Sequence, residues 1–179
     1  RRFHKGFQFV REKIKEVADI TNCPINFIQA YHSDGQWRFP SEIVTQNYHP
    51  YCYGYGKASH SGYHIFDAAL EFYKASMPYK KHATDFDIYS SLLQPNGFFE
   101  QFGKDDYNKL FKDDIDQQDS WDTDKIYDQC REFGELDLSS VITLKRRGVS
   151  IANININLVH NGFSGRTWIK PGEDLYKGN

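Results

Sequence analysis

The alternating segment Ile154-Asn155-Ile156-Asn157-Leu158 constrains the fold of this 179-residue chain more than any other feature. Successive side chains of a β-strand point to opposite faces, so the pattern predicts a strand with one buried and one wetted face. Two β-branched runs, 141–144 and 149–159, flank Lys145-Arg146-Arg147-Gly148. Together they predict a β-hairpin whose connection is this basic segment.

A stripe of apolar residues predicts a helix over residues 3 to 20. Its members recur every three or four positions and are Phe3, Phe7, Val10, Ile14 and Val17. Residues with this spacing lie on one helix face, so we expect the stripe to be docked against the domain. The helix should end at Asn22-Cys23-Pro24, because the residue before a proline disfavours the helical region.

Further local predictions follow from proline, glycine, capping residues and strand parity. They are a strand over 25–31, a turn at Ser33-Asp34-Gly35, a returning strand over 36–39, a short helix over 41–47, a helix over 62–76 capped by Ser61, a turn at Pro95-Asn96-Gly97, a helix containing Ile126 and Cys130, and a β-bulge near Ala152-Asn153. The segment 85–93 fits either a strand or a helix.

These elements predict a single α+β domain spanning residues 1–179. We expect an antiparallel sheet of four or five strands, packed by the N-terminal amphipathic helix and by further helices. A hydrophobic fraction of 39% at this length suits one soluble globular core. The chain has no run of about 18 apolar residues, so a transmembrane helix is not expected.

Residues 100–137 are strongly acidic. They hold 13 of the 24 carboxylates but only five basic side chains, which gives a local net charge of −8. The segment 113–119 does not match a calcium loop, because the central glycine is missing. We therefore predict that Asp113, Asp114 and Asp116 contact a basic surface of a protein partner.

A second unusual segment is HPYCYGYGKASHSGYHIFD, residues 49–67. Its Tyr51, Tyr53 and Tyr55 alternate, so in an extended chain all three would project to one side. Tyrosine gives a large contact area at low entropic cost and is enriched at protein interfaces. The three tyrosines are therefore predicted to be partner-binding residues.

The same segment raises the question of a chemical site. His60, His64 and Asp67 have the spacing of metal ligands on one helix. The predicted cap at Ser61 would put His60 outside the helix, so we expect solvated histidines, no metal and no other cofactor. Cys52 could serve as a nucleophile, but its neighbours are tyrosines and not cations that lower the pKa of a thiol.

Cysteine usage and charge suggest a cellular context. Cys23, Cys52 and Cys130 are odd in number and form no CxxC pair, which favours a reducing intracellular compartment. The Arg1-Arg2 start fits the end of a removed import presequence, so the mitochondrion is a candidate organelle. The net charge of −2 and the short basic cluster at 145–147 argue against a nucleic-acid partner.

The sequence therefore predicts a non-catalytic accessory subunit that binds other protein subunits of a larger assembly. Its contacts would be the tyrosine-rich segment and the acidic helical face. The alternative is a small-molecule-binding sensory domain, with the tyrosines of 48–63 lining a pocket. A third hypothesis is an enzyme with a Cys or His site, which is weakened because no nucleotide-binding, hydrolase or metalloprotease motif occurs.

Overall fold

The computed structural model describes residues 2–35, 50–77, 82–101, 103, 105–106, 109 and 123–162. In chain order the elements are α1 (Lys5–Thr21), β1 (Phe27–Gly35), a 3₁₀ turn (Pro50–Tyr53), a π-helical turn (Ala58–Gly62), α2 (Tyr63–Ser76), β2 (Asp85–Leu93), α3 (Pro95–Gln101), α4 (Thr123–Gln129), β3 (Asp137–Arg146) and β4 (Val149–Gly162). The predicted α+β class is confirmed, with α1 packed against a four-stranded sheet. None of the described helices is long and apolar enough to cross a membrane.

The four strands are ordered β1-β4-β3-β2 in a mixed sheet. Two backbone hydrogen bonds give the relative direction of β2 and β3. Thr84 N–H, just before β2, donates to Lys145 O near the end of β3, and Leu136 N–H, just before β3, donates to Leu93 O at the end of β2. These two strands are therefore antiparallel, as are β3 and β4 of the hairpin. β1 differs, because Asn153 N–H donates to Asn26 O and both strands continue from there in the same direction. β1 is therefore parallel to β4, which corrects the expectation that the whole sheet is antiparallel.

The centre of the core is one face of the β3–β4 hairpin. The even-numbered residues of 138–144 and 152–158 are buried, namely Leu138, Ser140, Ile142, Leu144, Ala152, Ile154, Ile156 and Leu158. The opposite face carries polar pairs, with Thr143 Oγ1 2.9 Å from Asn153 Oδ1. The predicted burial of the alternating apolar residues is therefore confirmed. The opposite face is only partly wetted, because Asn153 is exposed but Asn155 and Asn157 are half-buried, and Asn155 Oδ1 is buried without a hydrogen-bond partner.

The register of the hairpin indicates the bulge that strand parity predicts. Arg147 and Gly148 have φ values of 53° and 76°, the pair of positive angles that a two-residue type I′ turn requires. Such a turn places Arg146 opposite Val149, and a regular ladder would then place Thr143 opposite Ala152. Thr143 instead pairs with Asn153, so β4 contains one extra residue between 149 and 153.

Several local predictions are confirmed. The first helix ends at Asn22, which has a left-handed φ of 53° at the C-cap. The helix predicted over 62–76 is α2, and the ambiguous segment 85–93 is a strand. The helix predicted to contain Ile126 and Cys130 is α4, which contains Ile126 but ends at Gln129, one residue before Cys130. Both residues are buried. The strand predicted over 36–39 and the helix over 41–47 lie outside the described residues.

Three local predictions are wrong, each for a tertiary or contextual reason. β1 continues through Ser33-Asp34-Gly35, because its parallel neighbour β4 also continues to Gly162. Pro95 begins α3 and does not form a turn, since the first helical position needs no backbone N–H. Ser61 is not a cap, because the π-helical turn runs directly into α2.

Two compact units can be distinguished by their contacts. The first comprises residues 1–32, 61–91 and 138–157, and the second comprises residues 33–60, 92–137 and 158–179. The first contains α1, α2 and most of the sheet, and the second contains the tyrosine-rich turn and α4. The expectation of one domain over residues 1–179 stays a prediction.

Candidate binding surfaces

The tyrosine-rich segment does not form the continuous aromatic strip that its alternation predicts. Pro50–Tyr53 is a 3₁₀ turn, so the three tyrosines do not project to one side. Tyr51 is only 2% exposed, whereas Tyr53 is 68% and Tyr55 is 60% exposed. The assignment of Tyr51 to a contact strip is therefore corrected, and Tyr53 and Tyr55 remain the accessible members.

Tyr51 is part of the interior of the second unit. Its carbonyl oxygen accepts hydrogen bonds from Gly54 N–H at 3.0 Å and from Gly134 N–H at 2.9 Å. Burial raises the pKa of its phenol well above the usual range, and the carboxylates of Glu135 and Asp137 raise this pKa further. The backbone carbonyl of Tyr51 therefore holds the turn in place. Its buried phenol stays neutral.

Glu135 shows that part of the acidic segment is structural. Its backbone oxygen accepts from Lys57 N–H at 2.8 Å, and its Oε1 accepts from Ala58 N–H at 2.9 Å. The approach is so close that a Cβ added to Gly56 would lie 1.8 Å from Glu135 Oε2. This carboxylate thus serves the fold, while Asp113, Asp114 and Asp116 lie outside the described residues.

The histidines of the segment lie on helical turns. His60 lies in the π-helical turn and His64 in the first turn of α2, so His60 lies outside α2 as predicted, although the turn that contains it runs into α2 without a break. The physical reason is that Gly62 is compatible with helical dihedrals and continues the chain without a break. Among the described residues, no group of three His, Cys, Asp or Glu side chains is placed to hold a metal ion.

The three thiols differ in accessibility. Cys23 is exposed, Cys52 is partly buried and Cys130 is fully buried. Burial raises the pKa of the Cys130 thiol to about 12, so this residue is not a thiolate at neutral pH. Its position among the apolar residues of the second unit identifies it as a core residue.

One side of α1 is docked on α2 in the first unit. The rings of Phe7 and Phe72 stack with centroids 4.7 Å apart. Ion pairs flank this contact, since Arg2 bonds to Asp67 and Arg11 lies 3.5 Å from Glu71. The hydrogen bond from Arg2 holds the pKa of Asp67 below its usual range. Aromatic stacking and paired charges together fix the orientation of α1.

The rest of the apolar surface of α1 is exposed. Val10 and Val17, which belong to the stripe predicted to be docked, are solvent-accessible, and so are Phe9 and Ile20. Successive helical residues are about 100° apart, so Phe9 and Ala18 lie about 180° apart around the axis with mostly apolar residues between them. A single neighbouring helix covers only part of such an arc, which corrects the prediction that the whole stripe is buried.

The exposed side of α1 borders a groove of about 380 Å³. Its walls and floor include Phe9, Lys13, Val17, Pro24, Ile25 and Ser76. The Lys13 ammonium lies 2.6 Å from Glu16 Oε2 and 5.9 Å from the Phe9 ring centroid, so its charge is matched within the chain. Cys23 also lines the groove, which leaves a largely apolar surface with one accessible thiol.

Strand β2 is the second unusual apolar surface. Eight of its nine residues are exposed, among them Phe86, Ile88 and Tyr89. Ser90 Oγ bonds to the buried Ser140 Oγ at 2.9 Å, which places Phe86, Ile88 and Ser90 on the core face of the strand. Asp87 pairs with Lys145 and shares the opposite face with Tyr89. Both faces of this edge strand are therefore accessible.

Sequence reasoning missed the groove and the exposed edge, although each leaves a signal. The apolar residues of α1 cover more of the helix than the stripe of a docked surface helix, because Phe9 and Ile20 lie outside the expected spacing. The segment DFDIYSSLL does not alternate cleanly between polar and apolar residues, and for this reason it did not distinguish strand from helix.

Comparison with known proteins found no protein family, no curated protein and no solved structure that matches this chain. Fold class alone does not determine function, so the function has to be inferred from the surfaces of the molecule.

Proposed function

We propose that this chain is a non-catalytic protein-binding subunit of a larger assembly. The observation that carries the proposal is the second apolar side of α1, formed by Phe9, Val10, Val17 and Ile20, which stays exposed although the helix is already docked through Phe7. Contiguous exposed apolar surface of this kind marks interaction sites in soluble proteins.

The exposed side chains of α1 are large enough to contribute substantially to binding. Burying one Val, Ile or Phe side chain completely is worth roughly 1.5–3 kcal/mol. Several such side chains on one helix face can therefore offset a substantial part of the free-energy cost of association. The ion pairs between α1 and α2 also favour binding, because they hold the surface in one conformation and a preorganised surface loses little entropy on association.

The shape of the surface fits an amphipathic helix of a partner. The 17 residues of α1 extend over about 25 Å, and the groove beside them is bordered by Pro24 and Ile25. A partner helix with apolar residues at positions i, i+3 or i+4 and i+7 would place them in such a groove. Since Lys13 is already matched by Glu16, the binding energy would come mainly from apolar burial.

Two further contact regions belong to the proposal. Tyr53 and Tyr55 are exposed on the second unit and can supply aromatic contacts to a partner. Asp113, Asp114 and Asp116 are proposed to meet a basic partner surface on the ground of local charge alone.

A photo-crosslinking experiment tests the α1 surface. A photoreactive amino acid replaces Val17 in one variant and Lys15, an exposed residue about 160° away on the same helix, in the control. After irradiation in a native extract, we expect the Val17 variant to give a few defined protein adducts. Mass spectrometry identifies them, and Ile20→Glu in the same chain should abolish them.

Two outcomes of the crosslinking experiment would contradict the proposal. Equal adduct yields at both positions, or no protein adduct at Val17, would contradict the proposed helix-binding surface. Thermal melting of each variant shows whether the fold is intact. We expect no large change in melting temperature, because the side chains of Lys15, Val17 and Ile20 are all exposed.

The volume of the groove favours a small-molecule-binding function as the second candidate. About 380 Å³ lies within the range of ligand pockets, which is roughly 300–1,000 Å³. A resident ligand would slow the labelling of Cys23 by a thiol reagent, and extraction with organic solvent would restore the rate. A released compound together with this change of rate would replace the protein-binding proposal.

A further inference from the structure

β2 carries neither lysine nor proline, two of the residues by which proteins protect an edge strand, although two of its nine residues are aspartates. Natural edges carry lysine, proline or bulges, or are very short, because an open row of backbone N–H and C=O groups can pair with another chain. The nine residues DFDIYSSLL contain no lysine, proline or glycine. Among the described strands, none lies beyond β2 in the sheet order β1-β4-β3-β2.

The charges of this strand are already engaged within the chain. Asp87 pairs with Lys145, and Asp85 Oδ1 accepts from Phe86 N–H at 2.8 Å. β2 presents large apolar side chains to solvent on both faces, with Phe86 60%, Ile88 54% and Tyr89 68% exposed, beside the exposed polar residues Asp85, Ser90 and Ser91. A long apolar edge of this kind is a pairing surface.

We propose that β2 pairs with β2 of a second copy of this chain, antiparallel and centred on Tyr89, so that two four-stranded sheets form one continuous sheet. The centre of the nine-residue strand is residue 89, and this register overlaps the whole strand. Phe86 then lies opposite Leu92 of the second copy, and the two Tyr89 rings meet across the symmetry axis.

The distribution of charge along β2 favours an antiparallel over a parallel pair of copies. Both carboxylates lie in the first three residues of β2, and the last four residues, Ser90-Ser91-Leu92-Leu93, are uncharged. Antiparallel pairing places Asp85 opposite Leu93 and Asp87 opposite Ser91, so like charges do not meet. A parallel pair in register would place each aspartate beside its own copy, which is unfavourable.

The length of β2 determines the expected affinity of the dimer. Nine residues extend over about 30 Å, and a strand pair of that length lies at the low end of the area that specific interfaces bury. The dimer should therefore depend on concentration. The edge of β2 is a different surface from the exposed side of α1. Dimerisation through β2 can therefore be tested independently of the proposed function.

Sedimentation velocity over a wide concentration range provides the first test. We expect the mass of the purified chain to rise from 21.0 kDa towards twice that value as concentration increases. Tyr89→Lys would place two cations opposite each other and should raise the dimer dissociation constant about tenfold or more. The matched control is Val149→Lys, which alters an exposed residue of β4 and should leave dimerisation unchanged.

Disulfide trapping tests the register. In a Cys23→Ser, Cys52→Ser background, Tyr89→Cys should form an intermolecular disulfide under mild oxidation, because directly opposed Cβ atoms lie about 4.5–5.5 Å apart. Ser91→Cys should not, since residue 91 lies opposite residue 87. A wild-type chain that stays monomeric throughout, or a dimer that survives Tyr89→Lys, overturns the proposal. Efficient trapping at Ser91→Cys overturns the antiparallel register.

Discussion

The β3–β4 hairpin and strand β2 belong to the same sheet but differ in how their side chains are used. In the hairpin, one face is buried and the other carries hydrogen-bonded polar pairs such as Ser139 with Asn157. In β2, the apolar residues Ile88 and Tyr89 are exposed on opposite faces. The hairpin therefore buries most of its apolar side chains within the chain, whereas β2 leaves most of its apolar side chains exposed.

This difference shows that hydrophobic content alone does not make a strand part of the core. Ile156 and Ile88 are chemically identical, yet Ile156 is flanked by strands on both sides and Ile88 lies at an edge. Position in the sheet decides how much solvent each side chain loses on folding, and so how much it stabilises the monomer.

The largest expected effect is the contrast between these two isoleucines. Ile156→Ala should lower the free energy of unfolding by about 2–5 kcal/mol, because Ile156 is fully buried and its truncation leaves a cavity. Ile88→Ala should cost less than about 1 kcal/mol in the monomer. Urea unfolding at low protein concentration measures both values. Equal losses would remove the distinction between centre and edge.

Ser90 of the edge strand β2 forms a side-chain hydrogen bond to the central strand β3. Its hydroxyl is the partner of the buried Ser140 Oγ. Ser90→Ala should cost about 1–3 kcal/mol, because it leaves a buried polar group without that hydrogen bond. The Ser90→Ala, Ser140→Ala double variant should recover part of this loss in a double-mutant cycle followed by urea unfolding. Additive losses would show that the two hydroxyls do not interact.

The hairpin turn offers a smaller, stabilising change. Arg147 has a φ of 53°, a region in which glycine is favoured over a residue with a Cβ. Arg147→Gly should therefore raise the free energy of unfolding by up to about 1 kcal/mol. The control is Arg131→Gly, which removes the same exposed charge elsewhere. A loss of stability at position 147 would contradict the type I′ geometry.

The smallest effect should come from the ion pair between β2 and β3. The hydrogen bond to Asp87 raises the pKa of Lys145, so the stabilising contribution is complete below the unfolded-state pKa of about 10.4 and is lost as pH rises through the folded-state pKa. Lys145→Gln should thus be slightly less stable than wild type from pH 6 to 9, and the difference should shrink above pH 10. Urea unfolding across this range checks the trend, and a difference independent of pH would rule out the ion pair as its cause.

Local sequence patterns are sufficient to predict the features that depend on neighbours along the chain. The alternation around Ile156 predicted the hairpin, and the spacing of Phe7 and Ile14 predicted α1. Both patterns reflect the geometry of a single strand or helix, which does not change with tertiary context.

Which apolar surfaces are covered depends on the tertiary structure. Tyr51 is buried because the turn that carries it packs against Gly134 and Glu135, more than 80 residues away in sequence. Val17 and Ile88 are exposed because no described element of the chain covers them. Burial is set by contacts between distant segments, and these depend on the free energy of the whole packed arrangement, which no local pattern contains.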